Sequence, residues 1–98
     1  MAGFIQIIEF DTSRIDEVRA LADSTADARS SGTVRRVFMA SDRDRPNHYV
    51  TIAEFDSYDS AMENSARPET NDFAEKMAAL VDGPATFHNL DVTMTWEA

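Results

Sequence analysis

The 98 residues carry 9 Lys+Arg against 18 Asp+Glu, a formal net charge of -9, with 43% hydrophobic residues and no cysteine. One domain spanning 1-98 is expected at this length, and the acidic balance works against nucleic acid and anionic membranes, both of which need clustered Lys or Arg. Without cysteine there is no disulfide, thiolate nucleophile or Cys-based zinc or iron–sulfur site. Leu, Ile, Val and Phe together number 20 while Ala supplies 14. A chain of this size buries roughly 60–65% of its unfolded surface, so a second chain is expected to complete the core.

The start runs straight from Met1-Ala2-Gly3 into Phe4-Ile5-Gln6-Ile7-Ile8-Glu9-Phe10, with no basic segment and no cleavage site. No apolar run approaches the roughly 18 residues of a membrane helix. A cytoplasmic protein is the expectation. Phe4 to Phe10 carries apolar side chains on both parities, the pattern of a strand buried on both faces. Asp11-Thr12-Ser13 offers N-cap chemistry, and Ile15, Val18, Leu21 and Ala22 recur at helical spacing until Ser30-Ser31-Gly32, which predicts a first helix. Thr33 to Ser41, with Arg35 and Arg36 early in it, suits an edge strand.

Asp42 to Asn47 is polar and contains a Pro-Asn turn signal, so it reads as a hairpin loop before a third strand, His48 to Phe55. Asp56-Ser57 caps a short second helix marked by Tyr58, Ala61, Met62 and Ser65. Pro68 breaks it, and Thr70 or Asn71 is expected to cap a third helix with the stripe Phe73, Met77, Leu80 and Val81. Gly83 and Pro84 end that helix. Phe87 to Glu97 alternates strictly and predicts a long last strand.

The order β-α-β-β-α-α-β predicts an α+β, ferredoxin-like architecture: a four-stranded antiparallel sheet with helices on one face. The first and third strands, central in this topology, are apolar on both faces, which leaves an uncovered apolar patch. A homodimer through that sheet face is the expected cover.

The element order, the junction His48-Tyr49-Val50-Thr51-Ile52-Ala53-Glu54-Phe55-Asp56-Ser57-Tyr58, the two-part helical crossover and the long last strand resemble the dimeric α/β-barrel proteins, nearest to the antibiotic-biosynthesis-monooxygenase-like domains. The resemblance implies a dimer with a small pocket in each subunit between sheet and helices. It also implies activities that range from cofactor-free oxidation of polyketide quinols to heme degradation. The polyketide-oxidising members use an Asn and a Trp on the third strand and a Tyr on the following helix; Thr51, Phe55 and Met62 stand at those positions here. Heme-degrading members place an Asn on the first strand and an axial His on a helix, where this chain has Gln6 and a third helix without His.

Acid–base chemistry near neutrality points to the two histidines, His48 and His88. His88 shares strand parity with Leu90 and Trp96 and is the candidate catalytic residue. Neither histidine has the close His or carboxylate spacing of a metal site, so no metal is expected. Asn64 and Arg67, at the start of the third helix, are candidates for a carbonyl or anionic ligand. Gln6, Thr51, Phe55, Met62 and Phe73 are the remaining candidates for lining an apolar, aromatic-binding pocket. Three readings follow: a cofactor-independent monooxygenase or isomerase acting on a small aromatic or polyketide-like substrate, a non-catalytic dimeric binder of small apolar ligands, and a heme-binding or heme-degrading protein. The first two call for no cofactor.

Overall fold

The computed structural model describes residues 3–97 of the chain. Its strands are β1 (Phe4–Asp11), β2 (Arg36–Ser41), β3 (His48–Phe55) and β4 (Thr86–Asp91); its helices are α1 (Ile15–Ser24), α2 (Ala26–Ser30), α3 (Tyr58–Ser65) and α4 (Pro68–Ala78). The strands form one antiparallel sheet in the order β2-β3-β1-β4. The expected α+β ferredoxin-like architecture holds, with the two apolar strands in the centre.

Register assigns each side chain to a face, because residues paired across antiparallel strands share one. Phe4 pairs with Phe55 and Gln6 with Ala53 and Asn89; Ile8 pairs with Thr51 and Phe87. This set faces the helices: Phe4, Ala53 and Phe55 are buried in one cluster with Ala61 of α3, and Val34 and Met62 pack against it. Aromatic contacts extend the cluster. The Phe4 ring meets Tyr58 edge-on at 5.5 Å between centroids, and Phe10 stacks on Tyr49 at 5.9 Å. The opposite parity, Ile5 and Ile7 with Val50, Ile52, Phe38 and Leu90, forms the other face, on which none of the helices of the described residues packs. Phe38 and Leu90 are 42% and 43% exposed there.

Local chemistry shaped the elements in several ways that differ from the sequence expectation. The first helical pattern is interrupted at Thr25, whose hydroxyl lies on the Leu21 and Ala22 carbonyls and which separates α1 from α2. Thr12 does not cap α1. It is fully buried and bonds to Leu80 of the last turn region after α4, leaving Arg14 as an N-cap without a side-chain bond. Pro68 begins α4 instead of only breaking α3: it occupies the first turn, where the missing N–H costs nothing. Thr70 and Asn71 therefore lie inside the helix. The last strand ends at Asp91, because only Thr86 to Asp91 find partners on β1.

Other local signals hold. The Ser57 side chain accepts from the Ser60 N–H and caps α3. Ser57→Ala is expected to cost about 1 kcal/mol, read as a lower urea midpoint at unchanged slope. Gly83 has φ of 85°, the left-handed conformation glycine adopts without penalty, but it does not end the helix as expected: α4 stops at Ala78 with Ala79 as its C-cap, so Leu80 and Val81 also lie outside it.

Candidate functional site

Between the helices and the sheet lies a cleft of about 380 Å³. One wall is α1, through Ile15, Arg19, Ala22 and Asp23; the other is the β2–β3 hairpin, through Met39, Ala40, Ser41 and Tyr49. The α1 residues fall at i, i+4, i+7 and i+8, so a single helical face supplies them. The wall is apolar at Ile15, Ala22 and Met39, with hydroxyls at Ser41 and Tyr49 and an Arg–Asp pair of opposite charge at Arg19 and Asp23. The contact Arg19 makes is with Asp16, at 3.3 Å, with both side chains largely in solvent.

The candidates named from the sequence are divided by the fold. Gln6, Thr51 and Phe55 lie on the helix-facing side of the sheet, as the cleft does. Thr51 pairs directly with Met39 of the cleft wall. Gln6 Nε2 donates to Asn89 Oδ1 at 3.1 Å, which ties the centre of the sheet to β4. Phe55 is 3% exposed within the core and Met62 packs beside it, so both serve packing. Phe73 is half-buried on α4.

Asn64 and Arg67 form a structural corner. The Arg67 guanidinium donates to the Ala28 carbonyl at 2.9 Å, to Ser31 Oγ at 2.9 Å and to Glu69 at 2.6 Å. A Cβ at Gly32 would collide with that guanidinium and with Asn64 Oδ1, so glycine permits the close approach. With its donors engaged, Arg67 is occupied in joining α2 to α4.

His88 lies on the other side of the sheet from the cleft. It pairs with Ile7, and its Nε2 contacts Glu9 Oε2 at 2.8 Å. The proposed partners Gln6 and Thr51 have the opposite parity, so His88 shares no site with them. It belongs to a network that the sequence reading missed. Glu9 Oε1 accepts from His48 Nε2 at 3.2 Å, and His48 Nδ1 donates to Asp11 Oδ1 at 2.8 Å. His48 is 6% exposed. Asp11 and His48 are 37 residues apart and meet only because they are register partners at the end of the β1–β3 ladder. The signal available was the repeat of acids at Glu9 and Asp11 on one strand parity.

The network shifts its members' proton affinities. Hydrogen bonds from Asp11 first and Glu9 second raise the His48 pKa, while burial and the Arg45 guanidinium oppose this. Both ring nitrogens face carboxylate oxygens, so the imidazolium satisfies both. His88 and then His48 hold Glu9 below the usual carboxylate range. A raised folded-state pKa means that His48 stabilises the fold fully below its unfolded value of about 6.5, and that this is lost as pH rises through the folded value. The Glu9 contribution runs oppositely, present above its unfolded value and lost on acidification. Urea midpoints are expected to fall between neutral and mildly alkaline pH, and His48→Gln is expected to remove that fall.

No protein-family model matches the sequence. No curated protein matches it either. Among solved structures, a variant of SnoaB, a cofactor-independent oxygenase from Streptomyces nogalater, superposes with a TM-score of 0.82 at 20% identity over 97% of both chains. Rv0793 from Mycobacterium tuberculosis gives 0.80 at 16% identity, over 98% of this chain and 100% of its own. A structure named as an antibiotic biosynthesis monooxygenase gives 0.75 at 16%, over 93% of this chain and 99% of that one. The chain thus has the ferredoxin-like fold of the antibiotic biosynthesis monooxygenase-like proteins, from end to end. No helix among the described residues is long and apolar enough to cross a membrane.

Proposed function

We propose that this chain is a cofactor-independent oxygenase whose cleft between α1 and the β2–β3 hairpin binds a small aromatic or polyketide-like substrate. The observation carrying this reading is the end-to-end likeness to an oxygenase that works without a cofactor, combined with an amphiphilic cleft on the helix side of the sheet. In such a reaction a CH₂ between two aryl rings that are bridged by a carbonyl loses a proton, and the resulting enolate carbanion reduces O₂. The resulting peroxide collapses to a carbonyl and releases water, so each CH₂ oxidised consumes one O₂ and yields one water. Met39, Ile15 and Ala22 would exclude solvent from the ring. Tyr49 and Ser41 would donate to its oxygens, and Asp23 or a cleft water would take the proton.

A second reading, a non-catalytic binder of the same ligands, gains from the position of both imidazoles on the opposite sheet face. That position also leaves a heme in the cleft without an imidazole ligand. In either reading the chain acts as a homodimer, two copies covering each other's helix-free face where Ile5, Ile7, Val50 and Ile52 lie.

Oxygen uptake with an anthrone or a naphthoquinol tests the first reading. Uptake above the uncatalysed rate that disappears in Ala22→Phe, which fills the cleft, supports it. Calorimetric binding of the same compounds without uptake favours the second reading, and no binding refutes both.

A further inference from the structure

We propose that the cleft is one end of a longer groove that reaches Arg29, and that its ligand is an aromatic carboxylic acid whose carboxylate the Arg29 guanidinium holds. The inference rests on the ligand-binding reading above and adds the chemical class of the ligand.

A second hollow, of about 230 Å³, lies between α2 and the start of β2, with Ala26, Arg29 and Ser30 on one wall and Val34 and Val37 on the other. It continues the cleft along both walls. On the helices, Asp23 of the cleft is followed three residues on by Ala26 and three further on by Arg29, so the lining stripe runs through the break at Thr25. On β2, Val37 and Met39 are successive residues of the helix-facing side, paired with Ala53 and Thr51. The Ala22 carbonyl accepts from Arg29 Nη1 at 2.7 Å. Since Ala22 itself walls the cleft, the guanidinium stands where the two hollows meet.

Arg29 is the exception in how this chain disposes of its cations. Six of the nine basic side chains have a carboxylate partner, and Arg43 and Arg45 are exposed on the hairpin loop. Among the described residues Arg29 alone is half-buried without one, in a protein with twice as many acids as bases. No carboxylate lines its hollow. An unpaired cation in such a place carries a desolvation cost that an anionic ligand offsets.

The donors left over define the anion. Arg29 Nη1 is spent on the Ala22 carbonyl and on Thr25 Oγ1, which fixes the guanidinium plane. Nε and Nη2 have no hydrogen-bond partner among the described residues. They form the edge with which Arg35 and Arg36 hold Asp56 and Glu54 in this same chain, the fork that matches a carboxylate. Arg19, Arg35 and Arg36 also reach the groove, but Asp16, Asp56 and Glu54 already balance them. A ring between Ile15, Ala22 and Met39 therefore places an attached carboxylate at Arg29, and a neutral ligand leaves the fork unused.

Calorimetric titration of the full chain with anthraquinone-2-carboxylate and with anthraquinone-2-carboxamide, in about 0.1 M salt, provides the test. The acid is expected to bind at least about tenfold more tightly than the amide. Arg29→Gln, its fold checked by far-UV circular dichroism, is expected to bring the two within about twofold of each other by weakening the acid alone. In the parent chain the Arg29 Nε–H resonance is expected to move on titration with the acid and to stay in place with the amide, which decides the matter if Arg29→Gln does not fold. Equal affinity of the parent for acid and amide overturns the inference and leaves the ligand-binding reading intact. A preference for the acid that survives in Arg29→Gln also overturns it, and so does an equal weakening of acid and amide, which assigns Arg29 to holding the end of α1. Binding of neither compound overturns the ligand-binding reading itself.

Discussion

Phe55→Ala is expected to destabilise the fold by about 3–5 kcal/mol, the range for truncating a buried aromatic ring. Phe55 is 3% exposed and Phe4, its register partner, 2%. Their rings lie 6.4 Å apart. Among the described residues six hydrophobic side chains are buried and three of them are phenylalanines, so little material stands by to fill a vacated ring volume. A domain of this size has a total stability of about 5–15 kcal/mol, so the variant would approach the threshold of folding. In thermal unfolding, each kcal/mol moves Tm by roughly 4–8 °C, and a fall of about 12–40 °C is the expected reading. Phe4→Ala should behave similarly. The double variant is expected to lose less than the two singles together, because each truncation already removes their shared contact. Full additivity would show that the rings act independently, and a Tm within about 3 °C of the parent would show that the cluster is not the core.

That core also explains which parts of the fold were legible in advance. Strand parity was readable because it is local: Phe4, Phe10 and Phe55 alternate with Ile5, Ile7 and Ile52 at period two, and no tertiary information is needed to see it. The Ser57 cap is local for the same reason. Errors arose where a residue's role is fixed by a distant partner. Thr12 looks like a cap because hydroxyls near helix starts usually are, yet the Leu80 carbonyl, 68 residues away, claims it. Strict alternation from Phe87 onwards suggested strand to Glu97, but β1 offers partners only as far as Phe4, opposite Asp91. His88 was placed with Leu90 correctly by parity and with Gln6 incorrectly by function, since Gln6 has the other parity of its own strand. The cleft wall on α1 was written as i, i+4, i+7, i+8, although Arg19 and Asp23 resemble any other solvated charges until the opposing hairpin is known.

Thr12→Val is expected to cost about 2–4 kcal/mol although it preserves shape and adds apolar surface. Thr12 has no exposed surface, donates to the Leu80 carbonyl at 2.6 Å and accepts from the Arg14 N–H at 2.9 Å. Valine fills the same volume and leaves both backbone groups without a partner, one of them from each of two elements. Thr12→Ser retains the hydroxyl and loses one methyl, so about 1 kcal/mol is expected. The ranking of Val as worse than Ser separates the hydrogen-bond role from packing, which predicts the reverse. The bonds around Thr12 also fasten the end of β1: its own N–H donates to Asn47 at 2.9 Å, and the Asp82 N–H donates to Asp11 at 2.7 Å. The chain beyond α4 and the hairpin loop are thereby held to one point, beside the start of α1. Hydrogen exchange in Thr12→Val is accordingly expected to quicken at Leu80 to Gly83 and at the first turn of α1 before it quickens in the β1–β3 ladder. Because Ile15 and Arg19 of α1 line the cleft, loosening that turn is expected to weaken ligand binding in the folded variant as well. Thr12→Ser, which keeps the fastening, is expected to leave binding intact.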